Sequence, residues 1–186
     1  MYAFYFEDGQ FRVGTILADN GSSLQIEAQH GRRAKVKAAD VLFQFQEPGL
    51  PGFMEAAQKL AAEMDRDFLW EAAGSEEFDY ATLARDYFGR EPTPVERAAI
   101  LLSLHGAPMY FYRKGRGRYK PAPPEALRAA LAAEERKRQQ AAQLARWVET
   151  LSRFELPEEF RPQLERLIYA PDKNALETKA LEQAAA

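Results

Sequence analysis

Cysteine is absent from the 186 residues. A disulfide framework, a thiolate metal site and a cysteine nucleophile are therefore excluded, and a reducing, cytoplasmic setting is expected. There is no apolar run long enough to cross a bilayer, so no membrane partner is expected. The opening residues Met1, Tyr2, Ala3 and Phe4 offer neither a basic start nor a small-residue cleavage site, and no secretory signal is expected. Histidine occurs only as His30 and His105, without metal-ligand spacing to each other or to acids. Aspartates are scattered, whereas two-metal cleavage of a phosphodiester needs carboxylates converging on ions about 4 Å apart. Asp65 and Asp67 are close in sequence, but on a predicted helix they point in different directions. No glycine-rich loop leads into a helix, and no serine sits in a nucleophile elbow. The chain by itself is expected to be no enzyme and to need no cofactor.

What is present is an ordinary globular composition with an uneven distribution of charge. Hydrophobic residues make up 46% and charged residues 28%, enough to build a core. The net charge is −3, so any contact with nucleic acid must use local patches. Residues 98–124 contain no acid, yet Arg113, Lys114, Arg116, Arg118 and Lys120 crowd into them.

Residues 2–45 read as five short strands. Turn signals recur at Asp8-Gly9, Asn20-Gly21 and His30-Gly31, and apolar residues alternate with the rest between them. Five strands with one apolar face suit a small SH3-like β-barrel, whose closure would protect its edges. The segment Pro48-Gly49-Leu50-Pro51-Gly52 is a linker, after which the apolar period changes from two to about 3.6. One helix is predicted over 54–73. A second is capped by Asp79, with Phe78 and Leu83 at staple spacing, and ends at Gly89. A third starts at Thr93-Pro94 with Glu96 completing a capping box, and it is apolar nearly all round. A β-hairpin follows, with strands at 109–112 and 118–120. This is the order of a winged helix-turn-helix. A long helix is predicted over about 124–154, with apolar ends and a wholly polar middle at 134–140, then shorter helical pieces. The expected fold class is α+β, in three parts: residues 1–47 a small SH3-like β-barrel, 53–123 a winged helix-turn-helix, and 124–186 the long helix with a helical connector.

Two stretches carry chemistry. Residues 109–120 combine Arg113, Lys114, Arg116, Arg118 and Lys120 with aromatics that include Tyr112 and Tyr119. Cations neutralise phosphates and release counterions, and rings stack on unpaired bases. Residues 30–37 form the second stretch. There Arg33, Lys35 and Lys37 alternate with Ala34 and Val36, and Arg32 adjoins them. The alternative for the hairpin is a solvated surface whose aromatics pack on the third helix, and for residues 30–37 an edge strand kept soluble by charge. The third helix offers base edges little beyond Glu96, Arg97 and Ser103, which argues against a sequence-reading DNA binder.

The segments 68–71 (FLWE), 83–89 (LARDYFG), 101–111 (LLSLHGAPMYF), 113–119 (RKGRGRY) and 169–174 (YAPDKN) together resemble the N-terminal region of bacterial RNB-family exoribonucleases of the ribonuclease II/R type. The resemblance runs from Tyr2 to about Leu181. It implies a parent hydrolase that degrades RNA from the 3′ end, with Mg2+ held in a catalytic domain that is missing here. Within such a parent, this chain would guide single-stranded RNA as a non-catalytic arm. Its partners would be that RNA and the RNB catalytic domain, and it is expected to be a monomer. The alternatives are a winged-helix DNA-binding regulator, or a protein-docking module without nucleic-acid binding.

Overall fold

The computed structural model describes residues 1–28 and 31–186. The architecture is mixed α+β, and the chain divides into two compact units, Met1–Leu127 and Arg128–Ala186. The expected turn at His30 and the start of the basic run there lie outside the described residues.

In the first unit, β1 (Tyr2–Glu7), β2 (Gln10–Asp19), β3 (Ser23–Ala28), β4 (Arg33–Lys37) and β5 (Val41–Phe45) form an antiparallel sheet in the order β4-β3-β2-β1-β5. A short 3-10 turn, Ala38–Asp40, joins β4 to β5. The predicted closed barrel is not formed, because β4 and β5 are the two edges and do not pair with each other. Nor does the sheet have a single apolar face. Ala3, Phe4 and Tyr5 are all fully buried, since β1 lies inside the sheet between β2 and β5 and is covered on both sides. One side holds Ala3, Tyr5, Leu24, Ile26, Val36 and Val41. The other stacks Phe4 on Phe11 and Phe43, and Phe45 on Phe53 of the first helix. Gly14 is required by this packing. A Cβ there would lie 2.5 Å from Ile26 Cγ2 and 2.7 Å from the Glu27 carbonyl oxygen.

The linker at 48–52 therefore joins parts that share one core. The single helix expected over 54–73 is two, α1 (Phe53–Glu63) and α2 (Arg66–Ala73). The break has a local cause: Asp65 accepts hydrogen bonds from the backbone N–H groups of Asp67 (2.9 Å) and Phe68 (3.1 Å), which caps a new helix. A two-residue strand, β6 (Phe78–Asp79), precedes α3 (Tyr80–Phe88), and α4 (Pro94–His105) follows. Asp79 caps α3 and Gly89 closes it in the left-handed region. Thr93 and Glu96 form the reciprocal capping box of α4, whose Ala98, Ala99, Ile100, Leu101 and Leu104 are fully buried. The hairpin is β7 (Phe111–Gly115) and β8 (Arg118–Pro121). Its first strand starts later than predicted, and β8 pairs with both β6 and β7.

Ion pairs fasten the turn between α3 and α4. Arg85 donates to Glu91 at 2.9 Å, Arg97 also bonds Glu91, and Arg90 grips both oxygens of Glu96. The hydrogen bond from Arg85 holds the Glu91 carboxyl below its usual 4.5, with Arg97 adding to it. Burial alone would raise Glu96, but the bonds from Arg90 and Thr93 outweigh it and the net shift is downward. Groups held low in the folded state stabilise it fully above their unfolded pKa, and that contribution is lost as pH falls through the folded values. The melting temperature is thus expected to decline on acidification below about pH 4.5. Glu91→Gln is expected to flatten that decline by a few degrees, the modest size that exposed pairs have. A pH–melting curve unchanged by the substitution would count against the network.

In the second unit, α5 (Pro124–Ser152), which starts in the first, leads into a 3-10 segment (Glu158–Gln163), α6 (Leu164–Tyr169) and α7 (Leu176–Ala185). Trp147, Phe160 and Ala180 form its core, flanked by Leu144, Val148, Leu151, Leu167, Leu176 and Leu181. The middle of α5 is solvated, with Glu135 hydrogen-bonded to Arg138 and Gln139. Among the described residues no helix is long and apolar enough to cross a membrane.

Candidate nucleic-acid interface

The two basic stretches lie some 80 residues apart in the chain, yet the first unit brings them side by side. Gly117 turns the hairpin at φ +66°, and its carbonyl accepts the Tyr80 N–H at 2.8 Å. A Cβ on Gly117 would meet the Tyr80 ring at 2.7 Å, so the hairpin tip lies flat on the start of α3. Tyr80 in turn donates its hydroxyl to the Leu42 carbonyl of β5 at 3.2 Å. Burial pushes the Tyr80 phenol up to about 12, so it remains a donor at any physiological pH. From this seat Arg116 Nη1 donates to the Ala38 carbonyl at 2.8 Å, one residue past β4. Arg113 lays its guanidinium over the Phe6 ring at 4.2 Å. Phe6 also lines a cleft of about 340 Å³ whose other walls are Lys35, Lys37, Glu7, Asp8 and Asp40.

The hairpin is therefore docked on the sheet rather than projecting as a free wing. Its residues fall into distinct roles. Arg113, Lys114 and Tyr112 are exposed, and Tyr112 retains 40% of its surface. Lys120 is half-buried. Arg116 serves the dock. Arg118 is bound to Glu77 at 2.7 Å, both side chains being about half exposed. Tyr119 corrects an expectation. At 2% exposure, with its ring against Phe78, it cannot stack on a base. Burial raises its phenol accordingly. Tyr110 and Phe111 are buried as well, and the Tyr110 hydroxyl donates to Asp67 at 2.9 Å. This leaves Tyr112 as the one aromatic of this hairpin open to a nucleobase.

On β4, Arg33, Lys35 and Lys37 are exposed on one face, with Val36 buried on the other. Arg33 stands opposite Glu27, Lys35 opposite Gln25 and Lys37 opposite Ser23. Arg32 is exposed too, at a different cleft. The carboxylates of Glu7, Asp8 and Asp40, which line that cleft with Lys35 and Lys37, make its interior unfavourable for a phosphate. Two lysines line the cleft against those three acids, so contact with a polyanion falls to the exposed ends of Lys35 and Lys37 and to Arg113 and Lys114 of the hairpin. His105, at the end of α4, sets its ring edge-on to Phe6 and Phe11, both at 5.3 Å, and so belongs to the packing of helix on sheet. Among the described residues no three His, Asp or Glu side chains gather into a metal cage.

Sequence reasoning missed Phe6 as the seat of Arg113 and Ala38 as the acceptor for Arg116. Neither contact leaves a sequence signal, because each joins residues whose proximity exists only after the sheet and hairpin have folded. Comparison with known proteins gives no match to any family model, curated protein or solved structure.

Proposed function

We propose that this chain is the non-catalytic, RNA-guiding N-terminal region of an RNB-type 3′→5′ exoribonuclease. The observation that carries the reading is the docking of the basic hairpin beside the basic edge strand, through Arg113 on Phe6 and Arg116 on the Ala38 carbonyl. It gathers Lys35, Lys37, Arg113 and Lys114 into one exposed rim with a single open aromatic, Tyr112. Exposed cations with a stacking ring suit an unpaired strand, whose backbone and bases are both reachable.

The finer architecture belongs to the same proposal. The order helix, short strand, two helices and hairpin, with strands paired β6-β8-β7, supports a winged-helix reading. The order β4-β3-β2-β1-β5 with a 3-10 turn between β4 and β5 supports an opened SH3-like sheet. The DNA-regulator alternative loses ground because α4 is buried nearly all round, leaving no helix face to enter a major groove. The docking of an RNB body is favoured by one separate observation. In the second unit Ile168, Tyr169 and Phe154 are 62%, 85% and 101% exposed, apolar side chains that a docked body would cover.

The test is fluorescence anisotropy of the whole chain with a labelled single-stranded RNA, repeated over a range of salt. Micromolar binding at low salt is expected, with log K falling by roughly 0.7 per log salt for each phosphate contacted. A duplex of equal length is expected to compete poorly. Undetectable binding at about 50 mM salt, or a preference for the duplex, would refute the reading.

A further inference from the structure

A second cleft, at the opposite end of β2 from the β2–β3 turn, is not used by the hairpin rim. Among the described residues the β2–β3 pairing reaches Gly14 and Ala28, and residues 11–13 of β2 lie beyond it. The chain returns there at Arg32, whose carbonyl accepts the Ala28 N–H at 2.8 Å. Helix α1 closes the far side. The resulting cleft has a volume of about 500 Å³ and is lined by Phe11, Arg12, Val13, Arg32, Met54 and Gln58.

Its two walls differ in chemistry. Phe11, Val13 and Met54 form an apolar wall containing a ring and a polarisable thioether. Arg12 and Arg32 form a cationic wall, and Gln58, exposed at the mouth, can both donate and accept. Among the described residues two buried polar atoms nearby have no hydrogen bond, Arg12 Nε of this wall and the hydroxyl of Tyr5. Tyr5 and Arg12 face each other across β1 and β2. Burial raises the Tyr5 phenol, Glu7 adds to the rise, and Arg12 and Arg32 both oppose it. The two guanidinium groups therefore act on the same buried hydroxyl. Among the described residues the carboxylate paired with Arg12 is that of Glu7, whose Oε2 stands 3.4 Å from Nε without satisfying the donor. A buried donor without an acceptor is costly, and an incoming acceptor-rich group would relieve that cost.

We propose that this cleft binds a nucleotide, with its phosphate between Arg12 and Arg32 and its base against Phe11 and Met54. Paired guanidiniums suit a phosphate, and a cleft of this volume suits a mononucleotide-sized ligand. The nucleotide can be free or the phosphorylated end of an RNA strand. The site does not depend on the hairpin rim, and its occupation by a free nucleotide would stand even if the rim bound no RNA.

The experiment is titration of the whole chain with AMP, followed by heteronuclear NMR at low salt. Saturable binding with a Kd near or below about 1 mM is expected, with shifts at residues 11–13, 32, 54 and 58. Arg32→Ala, at an exposed side chain, and Arg12→Gln are each expected to weaken binding roughly tenfold or more. Lys114→Gln, on the hairpin, is expected to leave it unchanged. A 5′-phosphorylated oligonucleotide that displaces AMP assigns the site to strand ends, and one that does not assigns it to the free nucleotide. Failure of AMP to saturate any site would overturn the proposal. So would AMP binding undiminished in both arginine variants, or adenosine binding as tightly as AMP. Loss of RNA binding in hairpin variants with AMP binding intact would separate this site from the rim.

Discussion

Changing Lys35, Lys37, Arg113 and Lys114 together to glutamine is expected to lower single-stranded RNA affinity by two to three orders of magnitude at about 0.1 M salt. The size follows from counterion release. Each phosphate neutralised on a single strand contributes about 0.7 to the slope of log K against log salt. Four such contacts contribute about 2.8 decades at 0.1 M, and the slope should become shallower by the same 2.8. These four are chosen because none is held in an ion pair among the described residues. Arg116 and Arg118 are left intact because one docks the hairpin on Ala38 and the other is bound to Glu77. Removing them would confound loss of contact with loss of structure. Glutamine keeps only part of each apolar stem and removes the cation over Phe6, so the triple change that spares Arg113 is the control that separates lost contact from lost docking. Circular dichroism unchanged from the parent confirms that the fold is kept. An affinity and a salt slope both unaltered by the four changes would remove the rim from RNA binding altogether.

The choice of those four could not have been made from the sequence. Alternation along β4 separated Arg33, Lys35 and Lys37 from Ala34 and Val36 correctly, because a strand has only two faces. The same rule could not say which tyrosine of the hairpin faces solvent. Tyr119 is buried because β8 is flanked by β6 and β7, and β6 is a two-residue strand too short to leave a periodic signal. Local chemistry was legible wherever one residue acts on its near neighbours. The Thr93–Glu96 box, the Asp79 cap and the left-handed Gly89 all stand where the sequence places them. The capping power of Asp65 was overlooked because apolar spacing continued through it, and a single helix was drawn where Asp65 starts a second. Closure of the sheet failed for a different reason. The β5 edge finds other company, since Leu42 accepts from Tyr80 and the adjoining Ala38 from Arg116. An edge so covered has no need of a strand partner. The clefts, the seat of Arg113 and the two orphaned donors beside Arg32 are tertiary facts, set by register rather than by composition.

Phe160→Ala is expected to unfold the second unit while leaving the first folded. Phe160 is completely buried and meets Trp147 edge-on at 5.0 Å. It lies in a 3-10 stretch interrupted by Pro162, which has few backbone bonds of its own to hold it. Truncating a buried phenylalanine costs about 3–5 kcal/mol. A unit as small as Arg128–Ala186 buries too little surface to stand such a loss, because whole domains have only about 5–15 kcal/mol in hand. Rapid proteolysis confined to residues 128–186 and a red-shifted Trp147 emission are the expected readouts. Tyr169→Ser supplies the contrast. That ring is 85% exposed, and its removal should leave protease resistance unchanged while weakening capture of an isolated RNB domain, if the exposed apolar residues are a docking face. Collapse of both units together in Phe160→Ala would show that the two fold as one cooperative body. Retention of a folded second unit would mean that the leucines around Trp147 suffice without the phenylalanine. The outcome bears directly on the proposed function, in which a connector docked on a catalytic body would be folded independently of the RNA-contacting unit.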